Sequence, residues 1–485
     1  MLVKPIQFLR LAVESQQTRT SAIMEAIRQR IAARALVPGD RLPSIRQFAK
    51  TMQASPSTIV QAYDRLVAEG VIAPRLGSGF YVTGRTLPPL LLAEATTPTA
   101  RAVDPLWVSR QSLDSDPTTL KPGCGWLPTE WMPNDALRKA FRAVARGENI
   151  ILSEYGCTRG AVRLRRLLTA QFAEGGLDVS PDQVLLTGSG TQAVDLICRL
   201  LVRRGDTVLV DDPCYFNFQA LLRAHEIRIV GVPYTATGPD TEAFEQIVLQ
   251  EKPRLYITNS VVHNPTGATL SPQTAFRLLS TAAASGVLII EDDIFADFET
   301  TPSPRLAVMD GLEHVIRIGS FSKTLSASVR CGYIAARKDL IEGLIDLQVA
   351  TNFGGPSPVI TEVIADVLEG GIYRKHMLEI QRRLEKSRKA VARKLEALGM
   401  APWVEPKGGF YLWCRLPDGQ DSTDIALRSM ADNIIHAPGN VFSMSQSASP
   451  FMRFNVTQCE EERVFHSLEV LFVGGSLSKT AKSRR

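Results

Sequence analysis

Apolar runs of strand length alternate with amphipathic helical segments along the middle of this 485-residue chain. The strand-like runs are QVLLTG, TVLVDD, RIVGVPY, RLYITNS, VLIIEDD and HVIRIGS. The helices between them are predicted at residues 191–204, 216–224, 241–251 and 272–285. Strands that alternate with helices form a largely parallel sheet, and ligands bind beyond the carboxyl ends of its strands. The pattern therefore predicts an α/β domain with a ligand site at one edge of the sheet.

A lysine follows the last of these runs. Lys323 closes the segment Ser320-Phe321-Ser322-Lys323, and Arg330 comes seven residues later. A lysine among small and hydroxyl residues at a strand end, held in a low dielectric, has the lowered basicity that Schiff-base chemistry requires. The commoner fate of a single lysine is the protein surface, but these surroundings favour a reactive site, where Arg330 can reach the same anion as Ser320.

The start of helix 191–204 contributes to the same anion site. Gly188-Ser189-Gly190-Thr191 lies between a strand and this helix, and free backbone N–H groups at a helix N-terminus bind phosphate. The segment is therefore expected to hold a phosphate through Ser189, Gly190 and Thr191. A dinucleotide site would require the G-x-G-x-x-G spacing, which is not met here.

Short motifs complete a resemblance to the fold-type I pyridoxal-phosphate enzymes, whose fold is that of the aminotransferases. They are SEYG, DPCY, NPTG, EDD, SFSK with its later arginine, PKGGF and RFN, in the order expected of an aminotransferase with large and small subdomains. The resemblance implies that pyridoxal 5'-phosphate binds Lys323 as a Schiff base, the internal aldimine, and no metal site is expected. The residues implied to bind the cofactor are Lys323, Asp292, Asn264, Tyr215, Ser189, Gly190, Thr191, Ser320, Ser322, Arg330 and Tyr155.

The same resemblance assigns individual roles. Asp292 is implied to keep the pyridine nitrogen protonated, and Asn264 to donate to the ring oxygen. Tyr215 is implied to stack on the ring, and Tyr155 to reach the phosphate of a partner subunit. Arg453 is implied to hold a substrate or effector carboxylate as a bidentate fork, with a structural salt bridge as the competing role.

One position departs from the family pattern. Phe295 stands three residues after Asp292, where relatives frequently carry a tyrosine that hydrogen-bonds the ring oxygen. A missing phenol alters the acidity of the cofactor. No physiological turnover is therefore expected beyond a residual transaminase half-reaction.

The first 85 residues are more basic than the rest of the chain. They contain twelve Lys and Arg against five Asp and Glu, whereas the whole chain has a net charge of only +5. A basic module joined to a near-neutral remainder favours an anionic polymer as partner. Charge alone does not show whether the basic residues bind nucleic acid or only keep the protein soluble. A sequence motif is needed to distinguish these two explanations.

That motif is a helix-turn-helix followed by a hairpin. A helix is predicted over residues 20–35, and serines stand where they can cap a second and a third helix. A glycine turn at residues 77–79 between two short strands then forms a wing. The series resembles the winged helix-turn-helix of GntR-type regulators over roughly residues 5–84.

In such domains the third helix lies in the major groove, and its first residues face bases and phosphates. The residues implied to contact double-stranded DNA are Arg46, Ser55, Ser57, Thr58 and, at the minor groove, Gly77. Pro56 stands where many members carry a base-reading arginine. Ser55 and Ser57 can instead serve as helix caps, and capping is compatible with phosphate contact.

Proline-rich sequence separates the two modules. We assign the winged domain to residues 1–84, a linker without catalytic role to 85–119, the aminotransferase-like domain to 120–473, and a basic tail to 474–485. There is no apolar run of membrane-spanning length and no signal peptide. The seven scattered cysteines argue for a reducing compartment. A cytoplasmic protein, associated with the bacterial nucleoid, is expected.

The order of the modules resembles the MocR-type transcription regulators. This resemblance implies a homodimer in which each DNA-binding head lies over the partner's body. It also implies that a small amino compound, or the cofactor itself, is sensed through Lys323. The alternative is an active class I/II aminotransferase whose head is autoregulatory or vestigial. A third hypothesis is a DNA-binding protein with an empty body.

Overall fold

The computed structural model describes residues 19–32, 36, 39–75, 78–83, 106–147, 150–153 and 155–482, with side chains described as far as residue 473. The chain divides into two compact units, Met1–Arg101 and Ala102–Arg485. In the described part of the chain no helix is both long enough and apolar enough to cross a membrane.

The described residues of the first unit form three helices and a hairpin. Its elements are α1 (Arg19–Ala32), α2 (Ile45–Met52), α3 (Pro56–Ala68), β1 (Ile72–Arg75) and β2 (Gly79–Val82), and the two strands are antiparallel. The hydroxyl of Ser44 caps α2 by accepting from the Gln47 N–H at 3.3 Å. The helices bury a common core that includes Ile27, Phe48 and Tyr63. The predicted winged helix-turn-helix fold is confirmed.

The second unit is built from two sheets and the helices packed against them. Its helices are α4 (Trp107–Asp114), α5 (Asn134–Arg146), α6 (Ile150–Ser153), α7 (Val162–Glu174), α8 (Gly190–Leu201), α9 (Phe216–Ala224), α10 (Thr241–Glu251), α11 (Pro272–Ser285), α12 (Leu306–Asp310), α13 (Lys338–Asn352), α14 (Pro358–Glu369), α15 (Ile372–Ala397), α16 (Ser422–Ser429) and α17 (Glu462–Lys482). Its strands are β3 (Val184–Thr187), β4 (Thr207–Asp212), β5 (Arg228–Thr235), β6 (Gly238–Pro239), β7 (Leu255–Thr258), β8 (Leu288–Asp292), β9 (Val315–Ser320), β10 (Gly332–Ala335), β11 (Ala401–Pro402), β12 (Tyr411–Arg415), β13 (Ala437–Pro438) and β14 (Phe451–Asn455).

The larger sheet has the strand order β3-β10-β9-β8-β7-β4-β5-β6. Strands β9, β8, β7, β4 and β5 are parallel, whereas β10 is antiparallel to both of its neighbours. All six strand-like runs form strands of this sheet, so the predicted α/β fold is confirmed. The sequence did not predict β10. Too few residues separate it from β9 for a crossover helix, and the chain therefore returns antiparallel.

The smaller sheet is antiparallel, with the order β11-β12-β14-β13. The long helix α15 leads into it and packs on β11 and β12, which gives the small subdomain expected of an aminotransferase. The last helix, α17, continues to Lys482. The segment predicted as a basic tail from residue 474 thus extends a helix, and residues 483–485 lie outside the described residues.

The expected linker, residues 85–119, contains the helix α4. Its first residue, Trp107, is buried in an apolar cluster that also holds Phe216 and Phe442. The second unit begins at Ala102. The surrounding sequence is rich in proline and carries no helical periodicity. The helix is therefore stabilised by burial of its apolar side chains.

Burial of His436 generates a prediction about stability. Its imidazole is fully buried, neither ring nitrogen has a hydrogen-bond partner among the described residues, and burial lowers its pKa to about 3. The unfolded chain takes up a proton below about pH 6.5, whereas the folded protein does not until about pH 3. As the pH decreases from about 6.5 to about 3, this one group should therefore lower the free energy of unfolding by about 1.4 kcal/mol for each pH unit.

The variant His436→Leu should lose this part of the pH dependence. Urea unfolding followed at a series of pH values between neutral and mildly acidic measures the slope for the variant and the unsubstituted protein. His466→Leu is the matched control, since the His466 side chain is 75% exposed. Equal slopes for His436→Leu and the unsubstituted protein would contradict a neutral, buried His436.

Candidate functional site

A cavity of about 170 Å³ lies beyond the carboxyl ends of β3, β4, β7, β8 and β9. The predicted site residues that line it are Ser189, Gly190, Thr191, Tyr215, Asn264, Asp292, Ser322, Lys323, Arg330 and Arg453. Residues separated by more than 250 positions in the chain thus meet around one space. Two predicted residues, Ser320 and Tyr155, are not part of this lining.

Lys323 lies in the turn that follows β9. Its Nζ donates a hydrogen bond to the carbonyl oxygen of Gly125 at 2.6 Å. Burial lowers the pKa of Lys323 to about 8, and the positive charge of Arg453 acts in the same direction. A lysine with this pKa is unprotonated far more often near neutral pH than an ordinary lysine, and its amine can act as a nucleophile.

Asp292 ends β8 and faces the same cavity. Burial raises the pKa of its carboxyl group to about 6, although the side chain of Asn259 and the N–H of Ile294 partly oppose this shift. The Ile294 N–H donates to Oδ1 at 3.2 Å. A carboxyl group with a raised pKa can share a proton with an aromatic nitrogen. The adjacent Asp293, which is buried, instead pairs with two half-buried arginines, Arg305 and Arg317.

The N-terminus of α8 forms the predicted anion-binding edge of the cavity. The hydroxyl of Ser189 caps α8 by accepting from the Gln192 N–H at 3.0 Å. Gly190 and Thr191 begin the helix, where backbone N–H groups have no carbonyl partner within it. Helix amides at this end favour a bound anion.

Ser320 ends β9 and is not among the residues that line the cavity. Its hydroxyl donates to the carbonyl oxygen of Cys331 at 3.0 Å and accepts from the Ser322 N–H at 3.2 Å. The Ser320 side chain therefore stabilises the turn between β9 and β10. Ser322 and Arg330, which this turn carries, reach the cavity wall.

Arg453 is a buried cation that forms no salt bridge with any residue the structure describes. It is 1% exposed, and its two Nη atoms donate to Asn264 Oδ1 and to the Gly123 carbonyl oxygen, each at 2.7 Å. Both partners are neutral, and among the described residues Nε has no hydrogen-bond partner. The rings of Tyr411 and Phe442 flank the guanidinium at 4.1 and 4.7 Å. A buried charge of this kind favours an incoming carboxylate over the alternative role in an internal salt bridge.

Phe295 lines the cavity beside a phenol that the sequence did not single out. Its ring contacts the ring of Tyr411 edge-on, with centroids 5.6 Å apart. A Cβ atom added to Gly125 would lie 3.3 Å from the Tyr411 hydroxyl and 3.8 Å from Lys323 Nζ. The hydroxyl of Tyr411 and the amine of Lys323 thus face one small space, although position 295 itself carries no phenol.

Tyr155 lies away from the cavity on the surface of the second unit. Its side chain is 81% exposed and contacts the exposed ring of Phe353, with centroids 4.9 Å apart. Leu152 is exposed nearby in the chain. Tyr155 is not among the residues that line the cavity. An exposed aromatic pair is typical of a surface that a second subunit covers.

Part of the cavity wall comes from α4, within the expected linker. Val108, Ser109 and Ser112 line the cavity together with the segment Cys124–Trp126. The sequence offered one signal, the apolar run Leu106-Trp107-Val108 in an otherwise mostly polar stretch. Three consecutive residues do not establish a helical period.

The first unit exposes three of the side chains predicted to contact DNA, whereas a fourth, Thr58, is half-buried. Arg46 on α2 and Ser57 on α3 are exposed. Ser55 is the cap of α3, because its hydroxyl accepts from the Thr58 N–H at 3.2 Å, and it lies 2.7 Å from the Ser57 hydroxyl. Pro56 occupies the first helical turn, where a missing N–H costs nothing.

Of the predicted DNA contacts, Gly77 lies outside the described residues. The wing strands on either side of it, β1 and β2, pair in register from Ile72 with Val82 to Arg75 with Gly79.

Comparison with known families agrees with both units. Residues 128–471 match the family described as Aminotransferase class I and II. The chain belongs to this aminotransferase family. Residues 19–82 match the family described as Bacterial regulatory proteins, gntR family. A GntR helix-turn-helix domain followed by an aminotransferase class I and II domain is the arrangement expected of MocR-type regulators.

Similar proteins share the whole arrangement. This aminotransferase-family chain is 28% identical to the uncharacterized HTH-type transcriptional regulator YdcR of Escherichia coli (strain K12), over 89% of the chain and 94% of the relative. It is 25% identical to the HTH-type transcriptional regulator NorG of Staphylococcus aureus (strain USA300), over 89% of the chain and 98% of the relative.

Solved structures resemble the second unit. LysN, an α-aminoadipate aminotransferase from Thermus thermophilus solved with N-(5'-phosphopyridoxyl)-L-leucine, superposes with a TM-score of 0.69 at 24% identity, over 76% of this chain and 95% of that one. An archaeal alanine:glyoxylate aminotransferase gives a TM-score of 0.70 at 24% identity, over 76% and 93%. These likenesses establish the aminotransferase fold of the second unit.

The lowered pKa of Lys323 generates a second prediction. In protein freed of bound aldehydes, the rate at which Lys323 reacts with an amine-directed reagent should rise with pH and level off above about pH 8. Only the unprotonated amine reacts, and an ordinary lysine continues to gain reactivity up to about pH 10.4. Mass spectrometry of the labelled Lys323 peptide measures the profile.

The variant Arg453→Met should shift the midpoint of this profile upward, since the Arg453 charge lowers the pKa of Lys323. A midpoint for Lys323 near the ordinary lysine value in the unsubstituted protein would contradict burial as the cause.

Proposed function

We propose that this chain is a DNA-binding transcription regulator whose second unit holds pyridoxal 5'-phosphate on Lys323 and senses a small amino compound. The observation that carries the proposal is the presence, in one chain, of a GntR-type winged unit and a cavity with Lys323, Asp292 and an unpaired Arg453. Relatives that cover the same arrangement are named HTH-type transcriptional regulators.

The residues around the cavity fit this cofactor. The N-terminus of α8, with Ser322 and Arg330, offers donors for a phosphate. Asp292 would hold the proton of the ring nitrogen, because its raised pKa favours a shared proton. Tyr215 offers an aromatic face at the cavity wall. The donors are those that an anionic, aromatic aldehyde requires.

Pyridoxal 5'-phosphate supplies an aldehyde that condenses with primary amines. Lys323 provides the amine of the protein, and its lowered pKa leaves that amine available near neutral pH. The buried guanidinium of Arg453 would bind the carboxylate of an amino acid, which would compensate its isolated charge. The cofactor aldehyde, the amine of Lys323 and the guanidinium of Arg453 together define the ligand as an amine that also carries a carboxylate.

A working aminotransferase is the second candidate function. The nearly complete set of cavity residues favours it, and the phenol of Tyr411 lies in the cavity that Phe295 lines. Multiple-turnover formation of a keto acid at about 1 per second or faster is the result expected of an enzyme. Formation of at most one keto acid per subunit is the result expected of a sensor with a residual half-reaction.

The proposed assembly is a homodimer with each winged unit lying over the partner's body, as the MocR resemblance implies. The exposed aromatic pair of Tyr155 and Phe353 supports a covered surface on the second unit. Tyr155 would then approach the phosphate site of the partner subunit.

Lys323→Ala tests the sensing part of the proposal. The variant should lose covalent retention of pyridoxal 5'-phosphate, which borohydride reduction and peptide mass spectrometry measure. It should also lose any effect of amino compounds on DNA affinity, while DNA affinity without ligand stays largely unchanged because the winged unit folds around its own core. Lys338→Ala, at an exposed lysine, is the matched control. Equal loss of DNA affinity in Lys323→Ala would count against two separable sites.

Arg46→Ala tests the DNA-binding part. An exposed arginine that contacts phosphate contributes to affinity for all sequences alike. The variant should bind every operator and control duplex more weakly and reduce the slope of log affinity against log salt by about 1. Arg382→Ala, at an exposed arginine of the second unit, is the control. A loss confined to one base position would show instead that Arg46 reads bases.

A further inference from the structure

The cavity wall contains a helix next in sequence to the connection with the winged unit. Ser109 and Ser112 of α4 line the same cavity as Lys323. The second unit begins at Ala102, and α4 is its first described helix. A ligand in the cavity therefore touches the part of the second unit that the connection to the DNA-binding unit enters.

One hydroxyl on this helix has no hydrogen-bond partner in the part of the chain that the structure describes. Ser112 is 2% exposed, and its Oγ makes no hydrogen bond to the described residues. Serines inside helices usually donate to a backbone carbonyl one turn earlier, and a buried hydroxyl without a partner is unfavourable. An occupant of the cavity that offers a polar group to Ser112 would remove this cost.

The helix is also packed against side chains near the predicted ligand contacts. Trp107 of α4 shares one buried apolar cluster with Phe216 and Phe442. Phe442 lies 4.7 Å from the guanidinium of Arg453, and Phe216 contacts the ring of Tyr215, with centroids 5.0 Å apart. The position of α4 therefore depends on side chains that contact Arg453 and on side chains that contact Tyr215.

We propose that Ser112 hydrogen-bonds the side chain of a bound amino acid, and that α4 is the element through which occupancy of the cavity biases the winged unit. The inference rests on the proposed function, since it takes the ligand to be an amino compound bound beside the cofactor. The ligand class is an α-amino acid with a polar side chain. Its carboxylate meets Arg453, and its side chain meets Ser112. Binding then favours one arrangement of α4 because only that arrangement satisfies the hydroxyl.

The test measures binding to the full-length protein freed of cofactor. The probes are pyridoxal 5'-phosphate and the N-(5'-phosphopyridoxyl) adducts of L-alanine, L-serine and L-glutamine. Ser112→Ala should weaken binding of the serine adduct, the glutamine adduct, or both, by about tenfold. Pyridoxal 5'-phosphate and the alanine adduct, which offer no polar side chain, should bind within about twofold of the unsubstituted protein.

Hydrogen–deuterium exchange gives the second measurement. In the unsubstituted protein, the adduct that depends on Ser112 should slow amide exchange in α4 beyond the effect of pyridoxal 5'-phosphate. Ser112→Ala should remove this additional protection. An α4 that exchanges identically with both probes would overturn its role as the responding element.

Ser429→Ala is the matched control, because Ser429 is buried and its hydroxyl is within hydrogen-bond distance of the carbonyl oxygens of Ala426 and Ile434. It should lower the Tm without ligand and leave adduct affinity unchanged, whereas Ser112→Ala should not lower the Tm.

Equal affinities of Ser112→Ala and the unsubstituted protein for all adducts would overturn the inference about Ser112 but not the proposed function. So would weaker binding of pyridoxal 5'-phosphate itself, since Ser112 would then serve the cofactor. Failure of the unsubstituted protein to bind any probe would overturn the proposed function and the inference together.

Discussion

The shared edge formed by the carboxyl ends of the parallel strands is the constraint on which the site depends. Burial at this edge acts in opposite directions on the two main titratable groups, lowering the pKa of Lys323 and raising that of Asp292. Both shifts reduce charge, because a low dielectric disfavours the ionised form of each group. An amine ready to react and a carboxyl group ready to share a proton therefore follow from one physical cause, the exclusion of water between strand ends and helices.

Arg453 is the exception within this environment, because a guanidinium stays ionised even when it is buried. Its two neutral hydrogen-bond acceptors and two flanking rings hold it in one orientation without neutralising it. The cavity is thus prepared for an anion before any ligand arrives. A neutral amine would leave this charge uncompensated, so under the proposed function Arg453 would strengthen binding of amino acids and discriminate against simple amines.

Much of this arrangement follows from local sequence rules, and the remainder depends on tertiary contacts. Six strands, the caps at Ser44 and Ser55, and ten cavity residues were predictable because strand ends and helix starts carry local signals. The orientation of Ser320 was not, since a serine beside an anion site looks the same whether it faces the site or the Cys331 carbonyl oxygen. Helix α4 and the phenol of Tyr411 were missed for a related reason. Their roles arise from residues more than 100 positions away, which no local pattern reveals.

The two candidate functions use the same cavity but differ in what is attached to it. An aminotransferase and a sensor both need Lys323, Asp292 and Arg453, so these residues do not distinguish catalysis from sensing. A ligand shifts a conformational equilibrium only through contacts that differ between the two states. The strand ends belong to the core of one unit, so their contacts with a ligand are not expected to differ between two states. Helix α4 is better suited to make contacts that differ between two states, because it lines the cavity and follows, in sequence, the connection to the DNA-binding unit. We therefore propose that sensing depends on the Ser112 hydroxyl of this helix together with the chemistry of Lys323.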